Sequence, residues 1–322
     1  AAQALLIWDG SEHYRFHRAI SQYASEKLHL TASEGEQLEE QHARWFYQKL
    51  MEDYAGFAGE GILAYLRNTE AVMPDVVKAA RSLIKNGDWE RMQTVIHPLY
   101  SYFEARSLFR EGSLLLLELA DLCVPDGAGQ HCRARLAARA ASLQINLQQF
   151  ATVPVLLESS LAVAQAEGDT AEVSYVFNVK AKLAAVNKSS SVSLEYAQSA
   201  LQLAHSVRGK SEIAHSLYNI GYALINLDEI TKAESALQEC RAICEELGDW
   251  RRLSKVLNIL ADAVCYRGDY VQALAFYADA LKIATALANS YSESLVLNNI
   301  GAAYYSLEDF AAAEENYHKS LQ

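Results

Sequence analysis

Between Ile213 and the end of the chain, large apolar, small and polar positions recur with a period of forty residues. Leu217, Leu257 and Leu297 share one column, and Gly221, Ala261 and Gly301 a second. Ala233, Ala273 and Ala313 follow, then Leu237, Tyr277 and Tyr317, then Cys240, Ala280 and Ser320. This register predicts a repeat built from two amphipathic helices, because a small residue on each helix lets antiparallel partners approach while the large side chains fill the space beside them. Counting back by forties reaches Ala181 and Ala141, and Phe150, Leu157 and Leu161 stand three periods before Tyr270, Tyr277 and Leu281. Five repeats are therefore expected from about 130 to 322. Asn187 to Ser191 reads as a lengthened loop within one repeat, offset by a shorter connector around Gly209. A degenerate helix pair is expected over 88–124 as a cap, followed by the loop Pro125 to Gly129.

The first third of the chain is patterned differently. Leu5 to Trp8 and Tyr14 to His17 are strand-like runs around the turn residues Asp9-Gly10-Ser11, and a helix is expected next, with Ile20, Tyr23, Ala24 and Leu28 on one face. An acidic helix follows from Glu34 through His42, Trp45 and Phe46 to Leu50 and Tyr54, and Gly56, Gly59 and Gly61 interrupt it. A short helix is expected from Ile62 to Arg67. Pro74 is expected to open another in its tolerated first turn, and Gly87-Asp88 to end it.

Composition narrows the functions open to such a chain. Four prolines in 322 residues suit a protein that is almost wholly helical. A net charge of −12 argues against direct nucleic-acid binding, since the chain repels a phosphate backbone. No apolar run approaches the roughly 20 residues that cross a bilayer, and Ala1 to Trp8 lack the pattern of a signal peptide, so a cytoplasmic location is expected. The five cysteines form no Cys-x-x-Cys pair, and no metal site is expected. No catalytic motif is present, neither Gly-x-Ser-x-Gly nor His-Glu-x-x-His nor a glycine-rich phosphate loop, so the segment is read as non-enzymatic and without a cofactor of its own.

The forty-residue columns resemble tetratricopeptide repeats of the longer kind, which implies an all-α, right-handed superhelix or α-solenoid of about five to six repeats. A second resemblance lies upstream. The stretch Tyr-Arg-Phe-His-Arg-Ala-Ile-Ser-Gln-Tyr-Ala-Ser-Glu-Lys-Leu from Tyr14 is similar to the closing hairpin and last helix of the winged-helix domain in STAND-type signal-transduction ATPases. Asp75 to Gly87-Asp88, and Arg106 to Leu119 with Arg110-Glu111-Gly112, resemble the elements that lead from that domain into its repeats. The resemblance implies a winged-helix remnant over 1–30, a helical linker or arm over 31–87, a capping repeat over 88–129 and tetratricopeptide repeats over 130–322. It implies a ligand-sensing, protein- or peptide-binding region that regulates an NTPase, with ADP or ATP and Mg held only by an NTPase domain outside this segment. His17 matches the family histidine that touches bound ADP, a role it could exercise only in a longer parent protein. Phe16 and Arg18 stand where that motif has Met and Asp. The alternative is a stand-alone repeat scaffold or peptide-pheromone receptor. The last residues fall inside a second helix, from which a longer natural protein is expected.

In such a stack the first helix of each pair lines the concave face. The columns that should point inward hold Arg135, Tyr175, His215 and Lys255, then Asn178, Tyr218, Asn258 and Asn298, then Lys182, Tyr222 and Asp262. Carboxamides at Asn178, Asn258 and Asn298 could pair with the peptide groups of an extended ligand, and the tyrosines offer apolar area with a polar tip. Lys182, Lys255, Arg135 and His215 would favour an acidic or C-terminal carboxylate partner.

Overall fold

The repeat is set by a unit of twenty residues, half the sequence period. The computed structural model describes residues 6–8, 14–16, 32–125 and 127–321. Within it two short strands, β1 (Leu6–Trp8) and β2 (Tyr14–Phe16), pair antiparallel with Ile7 opposite Arg15. The expected helix after β2 and the role of His17 fall outside the described residues. Fourteen helices follow among those described: α1 (Ala32–Ala55), α2 (Gly61–Lys85), α3 (Trp89–Ala105), α4 (Phe109–Leu122), α5 (Gly127–Asn146), α6 (Val153–Ala166), α7 (Thr170–Val186), α8 (Ser190–Ser206), α9 (Lys210–Asn226), α10 (Ile230–Leu247), α11 (Trp250–Tyr266), α12 (Tyr270–Ala286), α13 (Ser290–Ser306) and α14 (Phe310–Ser320). Each packs on its sequence neighbours, which makes an all-helical solenoid.

From α7 onward a helix begins every twenty residues because the same loop is used each time. Its middle residue is left-handed whatever its type, with φ of 69° at Gly168, 59° at Lys188, 54° at Arg208, 62° at Asp228 and 50° at Ala288. The next amide reaches back five residues to close the helix, Asp169 N to Ala164 O at 2.9 Å and Ser189 N to Ala184 O at 2.9 Å. That next residue often caps the following helix as well: Asp169, Asp249, Asp269, Asn289 and Asp309 each accept an amide of the first turn. The expected long loop at Asn187 to Ser191 is therefore absent. Its serines belong to the start of α8, and the backbone tolerates Lys188 in a conformation that sequence reading assigns to glycine. The real irregularity is the loop 147–152 before α6, where Pro154 sits in the first turn.

A second correction concerns Pro74, which lies inside the continuous helix α2. Ile62, Tyr65, Leu66 and Thr69 before it and Val76, Ala79, Ala80, Leu83 and Ile84 after it form one buried stripe, and burial of that stripe outweighs the roughly 3 kcal/mol that an interior proline costs.

Paired helices approach closely enough for a side chain to bond the facing backbone. Across α5/α6 Ser160 Oγ donates to Ala134 O at 2.8 Å, across α7/α8 Ser174 Oγ to Ala200 O at 2.9 Å, and across α9/α10 Cys240 Sγ to Ala214 O at 3.0 Å. Ser254 Oγ bonds Ala280 O at 2.9 Å across α11/α12, and Ser294 Oγ bonds Ser320 O at 2.5 Å across α13/α14. The small column beside it is equally constrained. A Cβ on Gly221 would lie 2.4 Å from Leu237 Cγ, and one on Gly301 2.8 Å from Tyr317 Cδ1.

Three buried clusters fill the molecule. One lies among α1 to α5, one among α5 to α7, and one runs from α7 to α13. The first also contains Leu287, from the loop before α13, at 1% exposure, with Trp250 packed against it. The two ends of the solenoid thus share a core. Gly248 O accepts Gly59 N at 2.9 Å, and at φ 64° with Gly59 N only 2.6 Å from where its Cβ would lie, Gly248 has no room for a side chain.

Gly221→Leu should overpack the α9/α10 contact and destabilise the fold by roughly 1 to 3 kcal/mol, whereas Gln238→Leu, at an exposed position of α10, should be close to neutral. Denaturant melts of the two variants check this, and equal midpoints would refute the assigned contact.

Candidate functional site

Because the ends meet, the concave face forms a partly enclosed chamber of about 660 Å³. The inward faces of α5, α7, α9, α11 and α13 line it, and α3 contributes His97, Tyr100 and Glu104. Of the residues expected at the concave face, Arg135, Tyr175, Asn178, Lys182, His215, Tyr218, Tyr222, Lys255, Asn258 and Asp262 all line this chamber. Asn298 does not; it is exposed, and its neighbour Asn299 takes the inward position.

Two of the asparagines bond within the protein. Asn178 is fully buried and gives its Nδ2 to Ser216 Oγ at 3.0 Å, while its own Oδ1 accepts Asn219 Nδ2 at 2.9 Å. Asn258 Oδ1 accepts Asn299 Nδ2 at 3.2 Å, and the same Nδ2 lies 3.2 Å from Asp262 Oδ1. These carboxamides join successive inner helices to one another in an inter-repeat network. Buried amides need such partners, and here the neighbouring repeat supplies them.

Charge in the chamber is organised around carboxylates that bridge elements. Glu104 of α3 pairs with Arg251 and, at 2.8 Å, with Lys255, both on α11 and 147 and 151 residues away. Burial alone would raise its carboxyl, but Arg251, Lys255 and Lys182 outweigh this and hold it well below the usual carboxylate range. Beside it Asn289 Nδ2 donates to Ala105 O at 2.9 Å, Ser107 Oγ donates to Asn289 Oδ1 at 2.8 Å, and the rings of Phe109 and Tyr291 meet edge to face. Nearby, Arg139 pairs with Glu172 and lies 3.8 Å from the centroid of the Tyr175 ring, and Arg135 reaches Asp169 at 2.5 Å. Arg252 pairs with Asp249 at 2.8 Å.

Lys182 is the exception. Its Nζ donates to Ser142 O at 3.0 Å, and no carboxylate contacts it among the described residues. Burial and then the charge of Lys255, opposed by Glu104, bring its ammonium down to about 7. His97, edge-on to Tyr54 and stacked on Tyr100, is pushed down to about 3 by burial and then by Arg251 and Arg139, and stays neutral. Asp262 moves the other way, up to about 6, because burial outweighs the hydrogen bond that Tyr277 OH gives it at 2.5 Å. Among the described residues no group of three or more His, Cys, Asp or Glu is placed to hold a metal ion.

Sequence reading did not assign Glu104, Tyr100, Arg139, Glu172, Arg251, Asn219 or Asn299 to this face. The available signal was polarity out of place, a lone acid in Leu99 to Ala105 and a lone arginine in Leu136 to Ile145. A charge in an apolar helical run requires a partner.

Residues 212–286 and 252–322 match the sequence model of the tetratricopeptide repeat family. No curated protein matches the sequence. Among solved structures, a signal transduction ATPase with numerous domains (STAND) protein with a tetratricopeptide repeat sensor from Pyrococcus horikoshii superposes with a TM-score of 0.68 at 15% identity, covering 98% of this chain and 43% of that one. The chain thus spans less than half the length of that relative. A Rap protein complexed with competence and sporulation factor gives 0.52 at 13% identity over 88% of this chain and 97% of that one. BtubC from P. vanneervenii gives 0.48 at 19% identity over 72% and 89%. No helix among the described residues is long and apolar enough to cross a membrane. The chain folds as a solenoid of tetratricopeptide-like repeats, with the family match falling on its last three helix pairs.

Two outcomes follow from the chamber's charges. Glu104→Gln should destabilise the protein by roughly 3 to 5 kcal/mol, since it removes the carboxylate that Arg251 and Lys255 share; chemical unfolding measures this. Lys182, with its pKa lowered in the fold, takes up more protons unfolded than folded between about pH 7 and its ordinary 10.5, so it makes stability rise with pH across that window. The gain on moving from pH 7 to pH 9 should be smaller in Lys182→Met than in the parent chain, and equal gains would show that the amine is not withdrawn from water.

Proposed function

We propose that this chain is the ligand-sensing repeat region of a STAND-type signal-transduction NTPase, binding its peptide or protein ligand at the concave chamber. The observation that carries the reading is the closure of that chamber by α3. Glu104, on the helix pair that precedes the repeats, makes its ion pairs to α11 inside the space a ligand would enter. Occupancy of the chamber is thereby tied to the position of the elements leading back toward an NTPase. A ligand that binds the released arrangement more tightly than the closed one shifts the balance by its differential affinity. The winged-helix-like sequence at Tyr14 to Leu28, the family match over the last repeats and the similarity along nearly the whole chain to a STAND protein with a repeat sensor support the assignment. In this reading the segment is not itself catalytic, works in the cytoplasm, and leaves ADP or ATP and Mg to the NTPase domain.

A second reading, a stand-alone peptide receptor, has the likeness to the Rap protein in its favour, since that structure is a complex with competence and sporulation factor and is matched over 97% of its length. The upstream reading frame separates the two, because a phosphate-binding loop there is required by the first and foreign to the second. In a protein carrying that loop, His17→Ala should weaken ADP binding and raise basal ATP turnover, while the same change in this segment should be silent. Calorimetry with ADP checks both arms, and full ADP affinity in the long variant would remove His17 from the nucleotide site.

A further inference from the structure

The ion pairs of the chamber do not balance. Arg135 is matched by Asp169, Arg139 by Glu172 and Arg252 by Asp249. Arg251 pairs with Glu104 and, at 3.8 Å, with the same Asp249 that holds Arg252, Lys255 shares Glu104, and Lys182 has only a backbone carbonyl. The remaining acids on the lining do not make up the difference. Glu212 stands in the first turn of its own helix beside Gly209, and Asp262 is held by Tyr277 and Asn299. Four cations, Lys182, Arg251, Arg252 and Lys255, therefore share two carboxylates, Glu104 and Asp249, around a space bordered by α3, and His215 on the adjoining α9 is neutral, driven well below its ordinary range by burial and then by Arg252.

We infer that the chamber seats an anionic group of its ligand, a carboxylate or a phosphate, against Lys182, Lys255 and Arg251. This rests on the reading of the chamber as the sensor's ligand site and names the chemistry it selects. An anion beside Lys182 would supply the charge that the protein withholds, and would accept hydrogen bonds from the two Nζ donors that Ser142 O leaves unused. Tyr218 and Tyr222 line the same space and offer ring area to the body of the ligand. The volume of about 660 Å³ falls within the range of small-ligand pockets, so a free organic acid and the acidic end of a peptide both fit the chemistry. Binding should draw a proton onto Lys182, whose amine is brought down to about 7 by burial and then by Lys255, with Glu104 favouring the charged form and Arg251 opposing it.

Calorimetry on this chain at physiological ionic strength tests the inference with four probes: inorganic phosphate, succinate, a short peptide with a free aspartate and C-terminus, and the same peptide with both acids amidated. At least one anionic probe should bind, Lys182→Met should weaken it by about ten-fold or more, and Lys182→Arg should retain it. Binding of phosphate or succinate assigns a free small anion, whereas binding of the acidic peptide alone, lost on amidation, assigns a peptide carboxylate. Proton uptake on binding, read from the buffer dependence of the heat at pH 8, should disappear in Lys182→Met. The inference is overturned if none of the anions binds the parent chain, or if Lys182→Met binds them as the parent does. A neutral ligand recovered from the native cell that binds parent and Lys182→Met equally would remove the anion site and leave the sensor reading intact. An anion that binds here but leaves ADP exchange unchanged in the full-length protein would do the reverse.

Discussion

Glu104 is a carboxylate withdrawn from water, and the architecture of the concave face depends on what compensates it. In a solenoid each repeat touches its neighbours, so nothing in the repeat itself brings residue 104 to residue 251. The contact must be made by groups outside the repeating pattern, and it is made by an ion pair with Arg251 and Lys255, by the Asn289 carboxamide on the carbonyls ending α3, and by Leu287 entering the first core. A buried ion pair of this kind adds little net stability over an apolar contact, because desolvation consumes most of the Coulomb attraction. What it supplies is geometry. It sets α3 across the concave face at one position, since a carboxylate moved off its partners would be left charged in a low-dielectric space.

That closure changes what the inner helices can do. Open repeats present a surface along which an extended chain could lie. Here the inward residues converge on one volume, and carboxamide bonds tie Asn178 to Asn219 and Asn258 to Asn299. Specificity shifts from a row of equivalent hydrogen-bonding groups to a small set of unequal ones, with tyrosines, a neutral histidine and an unmatched lysine around a shared space. In the proposed reading, a ligand entering the chamber acts through differential contacts, competing with or reinforcing the groups that hold α3 in place.

The helical architecture was legible because it is written in periodic packing. The five columns of small and large residues place Ala181, Gly221 and Ala261 at buried contacts, and those positions are buried in the structure. The inward face could be found for the same reason, and ten of the residues read as concave line the chamber. What could not be read lies off the period. Lys188 in a left-handed turn carries no compositional mark, so three serines beside it looked like an insertion. Pro74 looked like a helix start because local propensity says so, and only the buried stripe on both sides of it, a tertiary effect, decides otherwise. Glu104 could be noted as a charge out of place, but its partners are far along the chain and the pattern gives no way to choose them.

The bond that joins the helices of each pair has a further consequence for how such proteins diverge. In α5/α6 and α9/α10 the donor stands on the second helix, as Ser160 or Cys240, and in α7/α8, α11/α12 and α13/α14 it stands on the first, as Ser174, Ser254 or Ser294. Where the donor is on one side, the facing position needs only to be small and to lend its carbonyl, which any residue has. The requirement therefore belongs to the couple and not to either column. A lineage can pass the hydroxyl from one helix to the other through an intermediate that carries it on both, as Ser294 and Ser320 do, without moving the backbone. Each column read alone would then register drift between alanine, serine and cysteine, while the structural rule beneath it stayed unbroken.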